Sequence, residues 1–182
     1  MIMTKSKVYV FNTTLKYRKG TWRRIEIKGD QTLGDLDGII REAFNHDDYH
    51  LSEFFSGRVW NSNSLGVIEP DRSGSGDKKK IDQLELVKGS AIEYVYDFGD
   101  DIQHVIKLEK IVEPVAGAKY PRITSKNKTR NRYCVSCKKI QKKSVATWIC
   151  IDCTEEERKQ VLLCEDCLDE EHDGHYAEEL LS

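Results

Sequence analysis

Four metal-ligand pairs follow one another near the C-terminal end of this chain: Cys134-x2-Cys137, Cys150-x2-Cys153, Cys164-x2-Cys167 and His172-x2-His175. They take in all six cysteines and two of the five histidines. A Cys-x2-Cys pair puts both sulfurs on one tight turn and so supplies half of a tetrahedral site. Eight such ligands complete two sites with none left over. Zinc is the ion whose preference for thiolate and imidazole in a closed four-coordinate shell matches this set.

The half-sites can combine sequentially or in an interleaved way. Cys167 and His172 are separated by only four residues, too few for two independent small folds. That argues for a cross-brace: Cys134, Cys137, Cys164 and Cys167 around one Zn2+, and Cys150, Cys153, His172 and His175 around a second. Two Zn2+ are therefore the expected cofactors. A disulfide framework is the alternative for an even cysteine count in a secreted chain. Against it, the segment Met1-Ile-Met-Thr-Lys-Ser-Lys7 lacks the apolar core of a signal peptide. The cysteines are also confined to one region and accompanied by paired histidines, and a redox Cys-x2-Cys would not need to recur three times. Reduced thiols point to a cytoplasmic protein. No apolar run approaches the length of a membrane span, so no membrane partner is expected.

The stretch from Leu163 to His175 carries Cys-x2-Cys-x4-His-x2-His and resembles the end of a B-box. The twelve residues between Cys137 and Cys150 are closer to the spacing of a ZZ finger. The ten residues between Cys153 and Cys164 are more than either family usually has, so the finger subtype stays open. The resemblance implies a structural module that presents a surface to a protein or nucleic-acid partner.

Charge is distributed unevenly around this module. From Lys119 to Lys143 there are ten Lys or Arg residues and no Asp or Glu; from Thr154 to Ser182 there are eleven acidic residues and two basic ones. Four thiolates around one zinc leave about two further negative charges, whereas two thiolates with two imidazoles leave the ion neutral. A basic stretch can track phosphates, or serve as a solvated linker beside an acidic neighbour. The acidic finger end weakens a simple DNA-finger reading. Hydrophobic residues make up 38% of the chain, which suits one ordinary domain followed by a small one that relies on metal more than on a core.

Residues 6–17 read as a strand, Tyr17 to Gly20 as a turn and Trp22 to Lys28 as a second strand. Thr32-Leu-Gly-Asp35 is a capping-box start with Asp in place of Glu. Leu33, Leu36, Ile39, Ile40, Ala43 and Phe44 then fall on one helical face. Asn45 to Asp48 ends the helix. Leu51 to Trp60 reads as extended, Asn61 to Lys80 as a mobile Gly- and Ser-rich loop, and Ile81 to Leu84 as a short helical turn. In the hairpin of Ser90 to Val112, Ile92, Tyr94, Tyr96 and Phe98 share one face, and Ile102, His104, Ile106 and Leu108 share another. Both faces point the same way only across an odd-numbered loop. The register that follows sets residue 98 opposite residue 102 and Tyr96 opposite His104. This order predicts an α+β fold: a β-grasp-like mixed sheet with one main helix over residues 1–113, a basic linker over 114–132, and the small cross-brace zinc-binding module over 133–182.

Several of these segments resemble the plasmid pRiA4b open-reading-frame-three-like family. They are Thr21-Trp-Arg-Arg-Ile25, Thr32-Leu-Gly-Asp-Leu36, Asp47-Asp-Tyr-His-Leu-Ser-Glu-Phe54 and, most specifically, Tyr96-Asp-Phe-Gly-Asp-Asp-Ile-Gln-His104. The resemblance covers about residues 5–113. Ile102 stands where the family usually has Trp, and Asn45-His46 also depart from its pattern. Its members include passenger proteins of insertion elements, so it implies a compact α+β domain with a link to mobile elements and no established activity. Nothing in the chain resembles a serine recombinase catalytic region.

Two readings of function follow. In the first, the protein is a non-enzymatic interaction or adaptor protein with no catalytic residues. In the second, His50, Asp97, Asp100, Asp101 and His104 gather at one end of the sheet as a metal-dependent hydrolase site acting on nucleic acid. Asp97 to Asp101 equally suits a tight turn, and His104 on an apolar strand face suits the core. Trp22-Arg23-Arg24 can stack on bases or form the half-buried surface of a strand. There is no Gly-rich phosphate loop and no nucleophile–base pair.

Overall fold

The computed structural model describes residues 6–18, 20–128 and 132–180. The chain divides between Asn127 and Lys128 into two compact units.

In the first unit, alternating apolar and polar residues give β1 (Val8–Leu15) and β2 (Trp22–Lys28), paired as an antiparallel hairpin. Helix α1 (Leu33–Phe44) follows. The Thr32 hydroxyl accepts from the Asp35 backbone N–H while the Asp35 carboxylate accepts from the Thr32 N–H, so the capping box closes with Asp. Asn45 ends the helix at φ 57°, its N–H donating to the Arg41 carbonyl. Strands β3 (Ser52–Phe55), β4 (Ser64–Ile68), β5 (Ala91–Tyr96), β6 (Ile102–Val112) and β7 (Arg122–Lys126) complete a seven-stranded sheet in the order β4-β3-β5-β6-β1-β2-β7. Helix α1 contacts β2, β4 and β7, and so crosses one face of the sheet. Between them lie Phe11, Ile25, Ile27, Leu36, Ile40, Phe44, Phe54, Ile92, Tyr94 and Ile106, all buried.

The class is α+β, as expected, but the mixed sheet is corrected. Every ladder between these strands is antiparallel. The hairpins β1–β2, β3–β4 and β5–β6 supply three of these ladders, and the remaining three join strands that are not consecutive in sequence. The expected 61–80 loop contains β4, and the chain after it packs back on that strand. The Gly76 N–H donates to the Val67 carbonyl at 2.9 Å, and the Val67 N–H to the Ser75 hydroxyl at 3.1 Å. A Cβ on Gly74 would meet the Val67 carbonyl oxygen at 2.2 Å. Its glycine thus serves close backbone approach rather than mobility. The extended stretch is confined to β3, and a turn occupies residues 56–60.

The β5–β6 loop is odd-numbered, as the alternation required, but longer: Tyr96 faces Ile102 across five residues, 97–101. His104 therefore lies opposite Tyr94, not Tyr96. The loop takes two more residues from the first strand than read, and Asp97 and Asp101, at φ 52° and 50°, form its two left-handed ends. The basic stretch expected as a linker contains β7, which pairs with β2.

The second unit is a three-stranded antiparallel sheet in the order β10-β8-β9, made of β8 (Trp148–Cys150), β9 (Val161–Leu163) and β10 (Ala177–Glu179). Three short helices join it: α2 (Val135–Lys139), α3 (Ile151–Glu157) and α4 (Glu165–Glu171). Its buried cluster is Cys134, Cys137, Cys150, Cys164 and Cys167 with Val161 and Leu163. No helix among the described residues is long and apolar enough to cross a membrane.

Candidate functional site

Each Cys-x2-Cys pair sits at the start of a short helix. Cys134, Cys150 and Cys164 are the N-caps of α2, α3 and α4, and the second cysteine of each pair is the third helical residue. This turn brings both sulfurs to the helix end where backbone N–H groups are free, a setting that favours thiolate. Cys134 Sγ accepts from the Cys137 N–H at 3.4 Å.

The pairs converge as two sets of four: Cys134, Cys137, Cys164 and Cys167, and Cys150, Cys153, His172 and His175. Within each set the ligand atoms all lie within 4.8 Å of one another. In the first, Cys137 Sγ is 3.7 Å from Cys164 Sγ and 3.6 Å from Cys167 Sγ. In the second, Cys153 Sγ is 3.3 Å from Nδ1 of both His172 and His175, and Cys150 Sγ is 3.5 Å from Nδ1 of His175. A tetrahedral ion with sulfur at ~2.3 Å spaces its sulfurs by ~3.8 Å, and one with mixed sulfur and nitrogen ligands spaces them by ~3.5 Å. Both sets fit such an ion and can hold a metal. Without a cation, burial and the neighbouring thiols of Cys137, Cys164 and Cys134 push the Cys167 thiol well up. A divalent ion supplies the opposite charge that lets such thiols ionise together. The sets differ in access: all four sulfurs of the first belong to buried residues, whereas Cys153 and His172 are partly exposed and His175 is exposed.

The first unit gathers its polar groups differently. Asp37 of α1, 1% exposed, accepts from the Ser52 hydroxyl at 2.5 Å, the Tyr94 hydroxyl at 2.8 Å and Arg41 Nε at 2.8 Å. Arg41 also donates to the Asp47 and His50 carbonyls at 2.8 and 2.9 Å, and so fixes the segment that enters β3. On that segment, His50 Nδ1 lies 2.9 Å from Asp47 Oδ1 and 3.1 Å from the Tyr96 hydroxyl, and its Nε2 lies 3.5 Å from Asp97 Oδ2. The Asp47 hydrogen bond, and then the charges of Asp47, Asp97 and Asp100, raise the His50 pKa. The Tyr49 backbone N–H, with the Tyr96 hydroxyl and His50, holds Asp47 down to about 2.

His104 belongs to a separate, buried pair. Its Nε2 lies 3.2 Å from His46 Nε2, and its ring meets Phe44 and Tyr94 edge-on. Nδ1 has no partner in hydrogen-bonding geometry, although the nearby Ile102 backbone slightly favours its protonation. Burial first, then His46, lowers His104 to about 3; burial first, then Arg41, lowers His46 to about 4. His46 stacks on Tyr96 at 4.3 Å. Two of the three histidines of this unit, His46 and His50, thus contact Tyr96, whereas His104 contacts His46 and lies in the core. Asp97 Oδ1 accepts the Gly99 N–H within its own turn, and Asp101 accepts from Trp60 Nε1 and Gln103 Nε2. Asp100 donates its backbone N–H to Asp97 Oδ1 at 3.4 Å. Among the described residues, no group of three metal-ligating side chains forms here. Arg23 is buried and donates to the Ala43 carbonyl, and Arg24 pairs with Glu109, so the Trp22-Arg23-Arg24 run belongs to the strand.

The profile of the plasmid pRiA4b ORF-3-like protein family matches residues 7–134. The chain belongs to this family. A crystal structure of a protein of unknown function from Methanosarcina mazei Go1 is 31% identical, with a TM-score of 0.56 over 68% of this chain and 70% of that one. No curated protein matches the chain. The family match ends at Cys134, so seven of the eight candidate ligands lie beyond it.

Within the family domain, the residues that reading the sequence missed are Asp37, Arg41, Asp47 and His46. Asp37 and Arg41 carried a usable signal. Four apart, they fall beside Leu33, Leu36, Ile40 and Phe44 on the face the helix buries, where an unpaired charge is not tolerated. His46 gave no comparable signal, because its role depends on a contact with His104, 58 residues away.

Proposed function

We propose that this protein is a non-enzymatic interaction protein. Its family domain is joined to a structural module of two zinc ions, which presents a charged surface to a protein or nucleic-acid partner in a reducing compartment. The observation that carries the reading is the closure of both ligand sets: four side chains each, with no position left for a substrate or an activated water. The interleaved order, with the first and third pairs together and the second and fourth together, supports a cross-brace of the B-box or ZZ kind. The separation of His50 from the buried His104 speaks against a hydrolase centre built on those residues with Asp97 and Asp100.

Metal analysis of the purified chain tests this. Two zinc ions per chain are expected, tightly held, and Cys137→Ser is expected to reduce the content and unfold the second unit. Fewer than two zincs with intact structure would overturn the module. An additional exchangeable divalent ion, lost in Asp97→Asn without unfolding, would overturn the non-enzymatic reading.

A further inference from the structure

One end of the first unit carries an aromatic surface that the zinc module does not explain. Trp60, in the turn after β3, is 51% exposed, and Phe98, in the β5–β6 loop, is 37% exposed. Their rings meet edge-on at 5.2 Å. Trp60 is nevertheless fixed: its indole Nε1–H donates to Asp101 Oδ1 at 3.0 Å, and Phe55 packs edge-on against it from below at 5.5 Å. Such an aromatic side chain, ordered before any partner arrives, loses little freedom on binding. The surface is continuous with the entry to β3, because the Asp97 N–H donates to the carbonyl of Leu51, itself 40% exposed.

The charge around these rings is mainly negative. Asp97, Asp100 and Asp101 all lie in the five-residue loop that carries Phe98, and Asp47 is joined to the same surface through His50. The cations nearby are His50, already shared between Asp47 and Asp97, Lys16, already paired with Glu93, and Arg58 of the Trp60 turn. Carboxylates around exposed aromatic faces repel phosphate backbones and anionic lipid, and attract guanidinium or ammonium groups, which the ring faces also bind. A metal is not the occupant, since no group of three ligating side chains forms here among the described residues.

We infer that this end of the family domain docks a cationic peptide segment of a protein partner, with an arginine or lysine side chain over Trp60 and Phe98 and the loop carboxylates around it. The inference rests on the interaction-protein reading and names the chemistry of the partner.

The test titrates the zinc-loaded full-length chain into a fluorescein-labelled (Gly-Arg)4 peptide and, in parallel, into its uncharged (Gly-citrulline)4 counterpart. The arginine peptide is expected to bind, the citrulline peptide to bind about tenfold more weakly or not at all, and binding to weaken several-fold between 50 and 200 mM salt. Trp60→Ala is expected to weaken binding about tenfold. Asp100→Asn, at an exposed position that leaves the fold intact, is expected to weaken it several-fold. Glu156→Gln with Glu157→Gln, in the acidic part of the second unit, is expected to change nothing. Equal binding of both peptides would overturn the proposal, as would loss only in the second-unit variant. A concentration-dependent dimer abolished by Trp60→Ala would give the surface to a second copy of the chain and also overturn it. Two retained zincs with no peptide binding would remove this surface while leaving the zinc-module reading in place.

Discussion

In the first unit the largest fully buried side chains are Tyr94, Phe11, Phe44 and Phe54 with isoleucine and leucine around them, whereas in the second the centre is five cysteines with Val161 and Leu163. The first unit has a helix crossing seven strands, enough apolar surface to stand on packing. The second has three strands of three residues each and helices of five to seven. A unit of that size buries too little to fold on apolar contacts alone. The comparison teaches that burial means different things in the two units. A buried Phe contributes transfer energy directly, whereas a buried Cys contributes through the ion it can hold.

Metal removal separates the units most sharply. Structural zinc contributes on the order of 10 kcal/mol or more in small fingers. Chelation is therefore expected to abolish amide-exchange protection across 132–180 while leaving 6–127 protected. The mixed Cys and His set, reached by solvent at Cys153 and His175, should release its metal before the buried Cys set. Exchange measured by mass spectrometry at increasing chelator checks both expectations. Simultaneous loss of protection in the two units would break the comparison.

Asp37→Ala is the counterpart in the first unit. It removes the acceptor shared by Ser52, Tyr94 and Arg41, and leaves the Arg41 guanidinium, 3% exposed, without its carboxylate. Breaking a buried pair by deleting one partner costs about 3–5 kcal/mol. The urea midpoint of the first unit should fall accordingly, with zinc content unchanged. An unaffected midpoint would show that Arg41 is satisfied by the Asp47 and His50 carbonyls alone.

What the sequence disclosed follows the same division. The candidate ligands of the second unit were legible because coordination chemistry fixes both type and spacing, and the structure gathers the eight side chains in two sets of four that could hold a metal. The first unit yielded its helix, capping box and hairpins through local periodicity and local hydrogen bonds. Strand β4 stayed hidden because its identity depends on Gly74 and Gly76 coming up against it, a contact no local pattern announces. The His104 register was missed because alternation fixes which face a residue takes but not how many residues the loop holds.

Acid should weaken the first unit through the His46–His104 pair. Folded, His104 is lowered to about 3 and His46 to about 4, against 6.5 for the free side chain. Below about pH 6.5 the unfolded chain takes up protons that the folded pair refuses, so stability present above that pH is lost as pH falls toward 4. Arg41 opposes protonation of His46, whereas Asp37 and Asp47 favour it. The two imidazoles share one N···N contact and titrate as a pair. Urea midpoints read from the methyl signals of Ile40, Ile92 and Ile106 should decline across this window in the wild type and decline less in His104→Phe. An identical slope in the variant would place the acid sensitivity elsewhere.

The smallest expected effect compares the helix caps of the two units. Thr32 caps α1 by accepting the Asp35 N–H at 3.2 Å, and Cys134 caps α2 by accepting the Cys137 N–H at 3.4 Å. Replacing a hydroxyl cap by alanine removes one hydrogen bond and costs about 1 kcal/mol. Thr32→Ala should therefore lower the thermal midpoint of the first unit by a few degrees and leave metal content alone. Cys134→Ala removes a comparable cap together with one of four ligands, so it should lower metal content and destabilise the second unit by much more than a cap is worth. The difference between the two substitutions measures what the ion adds at a position of the same local geometry. Equal effects would mean that the thiol acts at Cys134 as a cap only, and would remove the first ligand set from the metal-binding account.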